Sequence, residues 1–217
     1  MQINLRPHFL QFFYTTRTSC LQPAGTILIV RDKERGPTMR TVKEIVRREI
    51  SAEELAHFCA SRKGRRFCLR HSVVKGGDFS GRSFPRAEFY NNVLPECRFV
   101  AANLGGAMLG ELDAPAASFR SAMLVEADVV WSTLTEADFT GVAADRASFM
   151  DCDLSGADFH DASLVGANFI GCNLSGADFS GARLSLIQLT NCVLDDVQGL
   201  DLCRGYEDPI LFSGRTW

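Results

Sequence analysis

Apolar residues recur at every fifth position along most of this chain. In the stretch LSGADFHDASLVGANFIGCNLSGADFSGARL, from Leu154 to Leu184, each fifth residue is Leu or Phe, and two positions before each stands Ala or Cys. An α-helix repeats its buried face every 3.6 residues and a β-strand every 2.0, so a period of five belongs to neither. Extended outward, the register runs through 25 quintets from Ser72 to Asp196 without a shift of phase. Only Ala114 and Ala144 place a small residue at the centre of a quintet.

A longer period lies inside the shorter one. Phe79, Phe99, Phe119, Phe139, Phe159 and Phe179 are spaced by 20, and Leu94, Leu134, Leu154, Leu174 and Leu194 form a second column interrupted by Ala114. Identity at 20 predicts that four quintets make one lap, each quintet forming one side of a square coil. Laps stacked at the strand spacing of about 4.7–4.9 Å give a rod of six and a quarter turns, roughly 30 Å long. The position two before each centre also points inward, and only a small side chain fits there. Nine of the 18 glycines fall two positions after a centre, where a corner demands positive φ. Leu112, Val142, Ile187 and Arg82 depart from the small inward residue.

The motif Ala-(Asp/Asn)-(Leu/Phe)-X-X, present as Ala157-Asp158-Phe159, Ala167-Asn168-Phe169 and Ala177-Asp178-Phe179, resembles the pentapeptide-repeat family over about residues 70–196. The resemblance implies an all-β solenoid, a right-handed quadrilateral β-helix, and a role in binding rather than catalysis. Members that confer fluoroquinolone resistance or toxin immunity bind DNA gyrase as mimics of DNA, and the resistance members dimerise through their C-terminal ends.

The expected organisation is an extension over 1–38, a helical N-terminal cap over 39–66, the repeat coil over 67–198 and a C-terminal cap or tail over 199–217. A stacked coil leaves open ends that must be covered. Ser51 with Glu54 forms a capping box, Ile50 with Leu55 a hydrophobic staple, and Val42, Ile45, Val46, Leu55, Phe58 and Cys59 a docking stripe. Ile210, Leu211, Phe212 and Trp217 are expected to cover the last coil or to pair with a second copy, so a homodimer through that end stays open. The extension reads either as a transit-like targeting segment, with Arg6, Arg17 and Arg31 and no acid in its first 31 residues, or as sequence upstream of a start at Met39.

Charge divides the chain. Residues 1–66 carry 13 Lys/Arg against 6 Asp/Glu, whereas residues 67–196 carry 8 against 17. No run of apolar residues is long enough to span a membrane. The cluster Arg62-Lys63-Gly64-Arg65-Arg66 lacks the interleaved aromatics of a nucleic-acid reader, so direct nucleic-acid binding is not expected. The eight cysteines contain no C-x-x-C pair. Cys152, Cys172 and Cys192 occupy the small inward position one lap apart, too far for a disulfide and too linear for tetrahedral zinc. A reduced, cytoplasmic setting and no cofactor or metal follow. His8, His57, His71 and His160 are scattered, and a filled rod gives no pocket for a catalytic constellation.

Two surfaces remain as candidates. Outward positions opposite the Phe column read Tyr90, Gly110, Val130, Met150 and Ile170, with Trp131 beside Val130, an apolar strip of the kind that marks contact with a protein partner. The N-terminal run Thr26-Ile27-Leu28-Ile29-Val30 is an alternative cover for that strip. On the Phe side Asp138, Asp158 and Asp178 stack, with Glu136 and Asp161 near, an acidic face that imitates DNA if the partner is gyrase or another topoisomerase. Arg86, Arg98, Arg120, Arg146 and Arg183 interrupt that field.

Overall fold

In the computed structural model, the described residues form nine short parallel strands that pair in strict chain order. Residues 42–46, 49–60, 66–200 and 211–213 are described, with side chains from 49 onward except at 52, 58, 60 and 211–213. The expectations placed on 1–38, on Arg62–Arg65 and on most of the tail lie outside them, as do the side chains of Val42, Ile45, Val46, Phe58, Leu211 and Phe212.

The strands are β1 (Val42–Val46), β2 (Arg66–Arg70), β3 (Glu88–Tyr90), β4 (Met108–Gly110), β5 (Asp128–Val130), β6 (Ser148–Met150), β7 (Asn168–Ile170), β8 (Gln188–Thr190) and β9 (Leu211–Ser213). From β2 to β8 each pairs with the next at an offset of 20, as in Phe149↔Phe169 and Met150↔Ile170. Three further ladders of single bridges run up the rod at the same offset, through Val73↔Val93, Asp78↔Arg98 and Ser83↔Asn103. Four ladders per lap make four sides. The all-parallel solenoid of about six turns is thus the architecture that the 20-residue identity predicts.

Corners follow from backbone bonding. Ala122 N donates to Phe119 O at 2.9 Å, closing a four-residue turn whose third residue, Ser121, has φ 54°. The same left-handed geometry recurs at every fifth residue from His71 to Asp196, whether or not glycine stands there. Glycine is therefore favoured at corners but not required. Asn and Asp tolerate this region, whereas Trp131 (φ 50°) and Leu186 (φ 60°) hold it at a cost, set by the hydrogen bonds on either side.

The centres fill the interior. Every one from Val74 to Leu189 is buried, and Leu194 is half-buried. Phe79 to Phe179 form a single axial stack with ring centroids 4.5–5.0 Å apart and planes within 6° of parallel. Phe149 and Phe169 stack likewise at 4.7 Å, each edge-on to Phe159 at 6.1 and 5.8 Å. Burying one such ring contributes about 1.5–3 kcal/mol. Small partners at 157, 167 and 177 leave the width these rings occupy.

At the N-terminal end the helical expectation is corrected in part. Helix α1 spans Ala52–Ala60, but residues 42–46 are strand β1, paired with β2 at an offset of 24. The reason is the open edge of β2: its unpaired amides and carbonyls are satisfied by another strand, which a helix cannot supply. The capping box forms, with Glu54 N donating to Ser51 Oγ at 3.2 Å and Ser51 N to Glu54 Oε2 at 3.1 Å. Ile50 and Leu55 are buried, and Leu55 sits against the first coil beside Gly77. At the other end β9 pairs with β8 at an offset of 23.

Two outcomes test this fold. Phe119→Ala, in mid-stack, should destabilise the rod by about 3–5 kcal/mol in urea unfolding, as large-to-small changes in packed cores do. Leu186→Gly relieves a left-handed leucine that is 56% exposed, and should stabilise by about 0.5–1 kcal/mol after the added chain entropy is counted.

Candidate interaction surface

Side chains of one register stack from lap to lap, so each outward column is a surface stripe. On the strand-bearing side the stripe reads Tyr90, Gly110, Val130, Met150 and Ile170, placed by β3 to β7. Tyr90, Met150 and Ile170 are half-buried, and Trp131 at the adjoining corner is 43% exposed.

Val130 corrects the sequence reading, since only 2% of it is exposed. Gly110 supplies the cause. A Cβ there would meet Tyr90 Cδ2 at 2.9 Å and Val130 Cγ2 at 3.5 Å, so the missing side chain lets the Tyr90 ring lie across the strand and Val130 close the gap. Tyr90 is thereby partly enlisted as a lid, and the surface that remains is Trp131, Met150 and Ile170.

The corner column beside it carries polar anchors that the sequence reading missed. Tyr90 Oη donates to Glu111 Oε1 at 2.5 Å, and Asn91 Nδ2 donates to Glu111 Oε2 at 3.0 Å. Trp131 Nε1 donates to Asp151 Oδ2 at 3.2 Å, and the other carboxylate oxygen of Asp151 lies over Gly171, where a side chain would collide. The signal was available: Asn91 and Glu111, like Trp131 and Asp151, are 20 apart as stacked neighbours are, and Tyr90 is the residue before Asn91. Burial first, and then the bond to Glu111, pushes the Tyr90 hydroxyl up to about 12.

The opposite side brings Asp138, Asp158 and Asp178 into one ladder. Their carboxylates are largely engaged in the local backbone. Oδ1 of each accepts the amide two residues on, from Thr140 at 2.9 Å, His160 at 2.8 Å and Ser180 at 2.8 Å. Thr140 Oγ1 also donates to Asp158, Ser118 Oγ to Asp138, and Arg120 lies 3.9 Å from Asp138. Repulsion between successive aspartates, about 0.9 kcal/mol at one lap in water, is set against these bonds. Glu136 and Asp161 stand exposed at the two corners that flank this side, and His160 Nε2 is 3.4 Å from Asp161.

Inward, Cys152, Cys172 and Cys192 are free thiols whose Sγ–H groups donate to backbone carbonyls, Cys172 to Phe149 at 3.4 Å for example. Hydrogen bonding with Cys152, together with burial, holds Cys172 up at about 12, and burial raises Cys97 to about 11. They are packing residues at the small position. Among the described residues no cluster of His, Cys, Asp and Glu is arranged to hold a metal. No described helix is long and apolar enough to cross a membrane.

With the register, the corners and the inward Ala–Phe pairing in place, the match to known sequence families follows. Residues 116–196 match the family model described as pentapeptide repeats, in eight copies. That part of the coil is built of pentapeptide repeats. No curated protein matches the chain. Solved structures similar to it include HetL, a pentapeptide-repeat protein involved in regulating heterocyst differentiation in the cyanobacterium Nostoc, 20% identical over 71% of this chain and 73% of that one, with a TM-score of 0.30. QnrB1, a plasmid-mediated fluoroquinolone resistance protein, is 21% identical over 73% and 90%, with a TM-score of 0.26. A pentapeptide-repeat protein of the Arabidopsis thaliana thylakoid lumen is 28% identical over 53% and 66%, with a TM-score of 0.28.

The Tyr90–Glu111 contact is measurable on this pentapeptide-repeat coil. The fold favours the neutral phenol, so Tyr90 contributes stability that is complete below its ordinary pKa of about 10 and lost as the pH rises through about 12. Absorbance titration of the phenolate should show Tyr90 ionising near pH 12. Glu111→Gln should bring it part of the way back, because burial remains.

Proposed function

We propose that this chain is a non-catalytic protein-binding module, whose pentapeptide-repeat rod presents the strand-bearing side to a partner in a reducing, cytoplasmic setting. The observation that carries the reading is Trp131. A large aromatic, 43% exposed, stands in left-handed backbone geometry beside Met150 and Ile170 on successive laps. Among the described residues, exposed Met123 lies between Asn103 and Ala143 and Val193 follows Asn173, while Val93 has half-buried Val73 on one side and Asp113 on the other. Contiguous apolar surface of this kind is characteristic of interaction sites, and Trp is enriched at their centres. The thiol packing of the cysteine column supports the reducing compartment.

A rival reading, an acidic rod that imitates duplex DNA towards gyrase or another topoisomerase, rests on the Asp138–Asp158–Asp178 ladder. It stands second, because those carboxylates bond turn amides and Arg98 and Arg120 break the field.

The test places a photocrosslinking amino acid at Met150, or at Thr140 on the opposite side, in the cells of origin. Position 150 should yield a discrete protein adduct and position 140 none. In the Met150 photocrosslinker background, Trp131→Glu with Ile170→Glu should keep the fold by circular dichroism and remove the adduct. Equal adducts from both sides, or unfolding of the double variant, would refute the assignment. Inhibition of gyrase supercoiling that disappears with Asp138→Asn, Asp158→Asn and Asp178→Asn together would replace it with the DNA-mimic reading.

A further inference from the structure

Resting on that reading, we infer that the strand-bearing side takes a cationic, apolar segment of its partner, with Lys or Arg side chains set against Glu111 and Asp151 while aliphatic ones cover Met150 and Ile170.

Charge complementarity carries the inference. Over 107–113, 127–133, 147–153 and 167–173, which make up this side and its exit corner on four laps, the sequence has five acids and no Lys, Arg or His. The acids are Glu111, Asp113, Asp128, Asp151 and Asp153. Of the bases that flank this side, Arg146 pairs with Glu126 at 3.1 Å on the entry corner, and Arg66 and Arg70 both pair with Glu88 at the N-terminal end; Arg86 stands on the entry corner one lap before Gly106, across the side from the Glu111 corner. Glu111 and Asp151 form no ion pair among the described residues. Their bonds come from the neutral donors Tyr90, Asn91 and Trp131, which orient the carboxylates without neutralising them.

Geometry places these groups together. Glu111, Trp131 and Asp151 follow one another up a single corner, one lap apart, so the indole stands between two carboxylates. An indole face attracts a cation through its quadrupole, and a guanidinium over Trp131 would sit within reach of both acids. The Met150–Ile170 column runs alongside, so the apolar and cationic requirements fall on adjacent stripes. An anionic partner would meet repulsion from Glu111 and Asp151.

The probe is an N-acetylated peptide of alternating arginine and leucine, against the same peptide with glutamate for arginine. The full chain carries Trp217→Phe, so that Trp131 is the single indole. The arginine peptide should perturb Trp131 emission saturably and the glutamate peptide should not. Affinity should fall about tenfold in Glu111→Gln with Asp151→Asn, which keep an oxygen acceptor for Tyr90 and Trp131, and by a similar factor when salt is raised to about 0.5 M. Equal binding of both peptides, unchanged by the double substitution, would overturn the charge assignment while leaving the side as a contact surface. Failure of the arginine peptide to alter Trp131 emission would overturn the inference itself. The photo-adduct at position 150 reports separately on the underlying reading.

Discussion

Along the regular coil, most backbone amides are satisfied one lap away. Phe119 N bonds Asp138 O and Asp138 N bonds Ala117 O, and such pairs repeat along the rod only while each lap consumes twenty residues. An inserted residue would rotate every later side chain off its column and separate the Phe rings, so the register and the core are one constraint seen from the backbone and from the side chains. At the ends the lap departs from twenty, to 24 at β1 and 23 at β9, and the regular coil begins and stops there.

That constraint also divides the labour among positions. Centres carry bulk, the position two before carries a small residue or a thiol, and corners accept positive φ because the bonds on either side impose it. What is left to vary is outward, so any specificity the rod has is written there. A consensus aspartate spends its carboxylate on the amide two residues on, which is why the acidic ladder on the Phe side is first a device for shaping turns. The strand-bearing side has no such obligation at Met150 or Ile170, and its acids at 111 and 151 are held by neutral donors.

Stacked rings and alanines fill the interior, with Cys97, Cys152 and Cys172 buried among them. The outward columns form flat faces. A flat face gains selectivity from charge arranged around an apolar centre more than from shape, and the Glu111–Trp131–Asp151 corner has that arrangement.

The period of twenty, the inward Phe column, the capping box at Ser51 and the structural role of the cysteine column could be read from the sequence alone. In a stacked coil each contact lies at a fixed distance in sequence, so periodicity is geometry. Tertiary structure decided what periodicity does not encode. Gly110 is one more glycine to a sequence reader, yet its missing side chain lets Tyr90 fold across and bury Val130. Residues 42–46 place apolar side chains at 42, 45 and 46, the spacing of a helix face, and the open edge of β2 selects the strand. Trp131 and Val130 are neighbours in sequence with the same apolar character. One is surface and the other core, because burial depends on what the next lap omits.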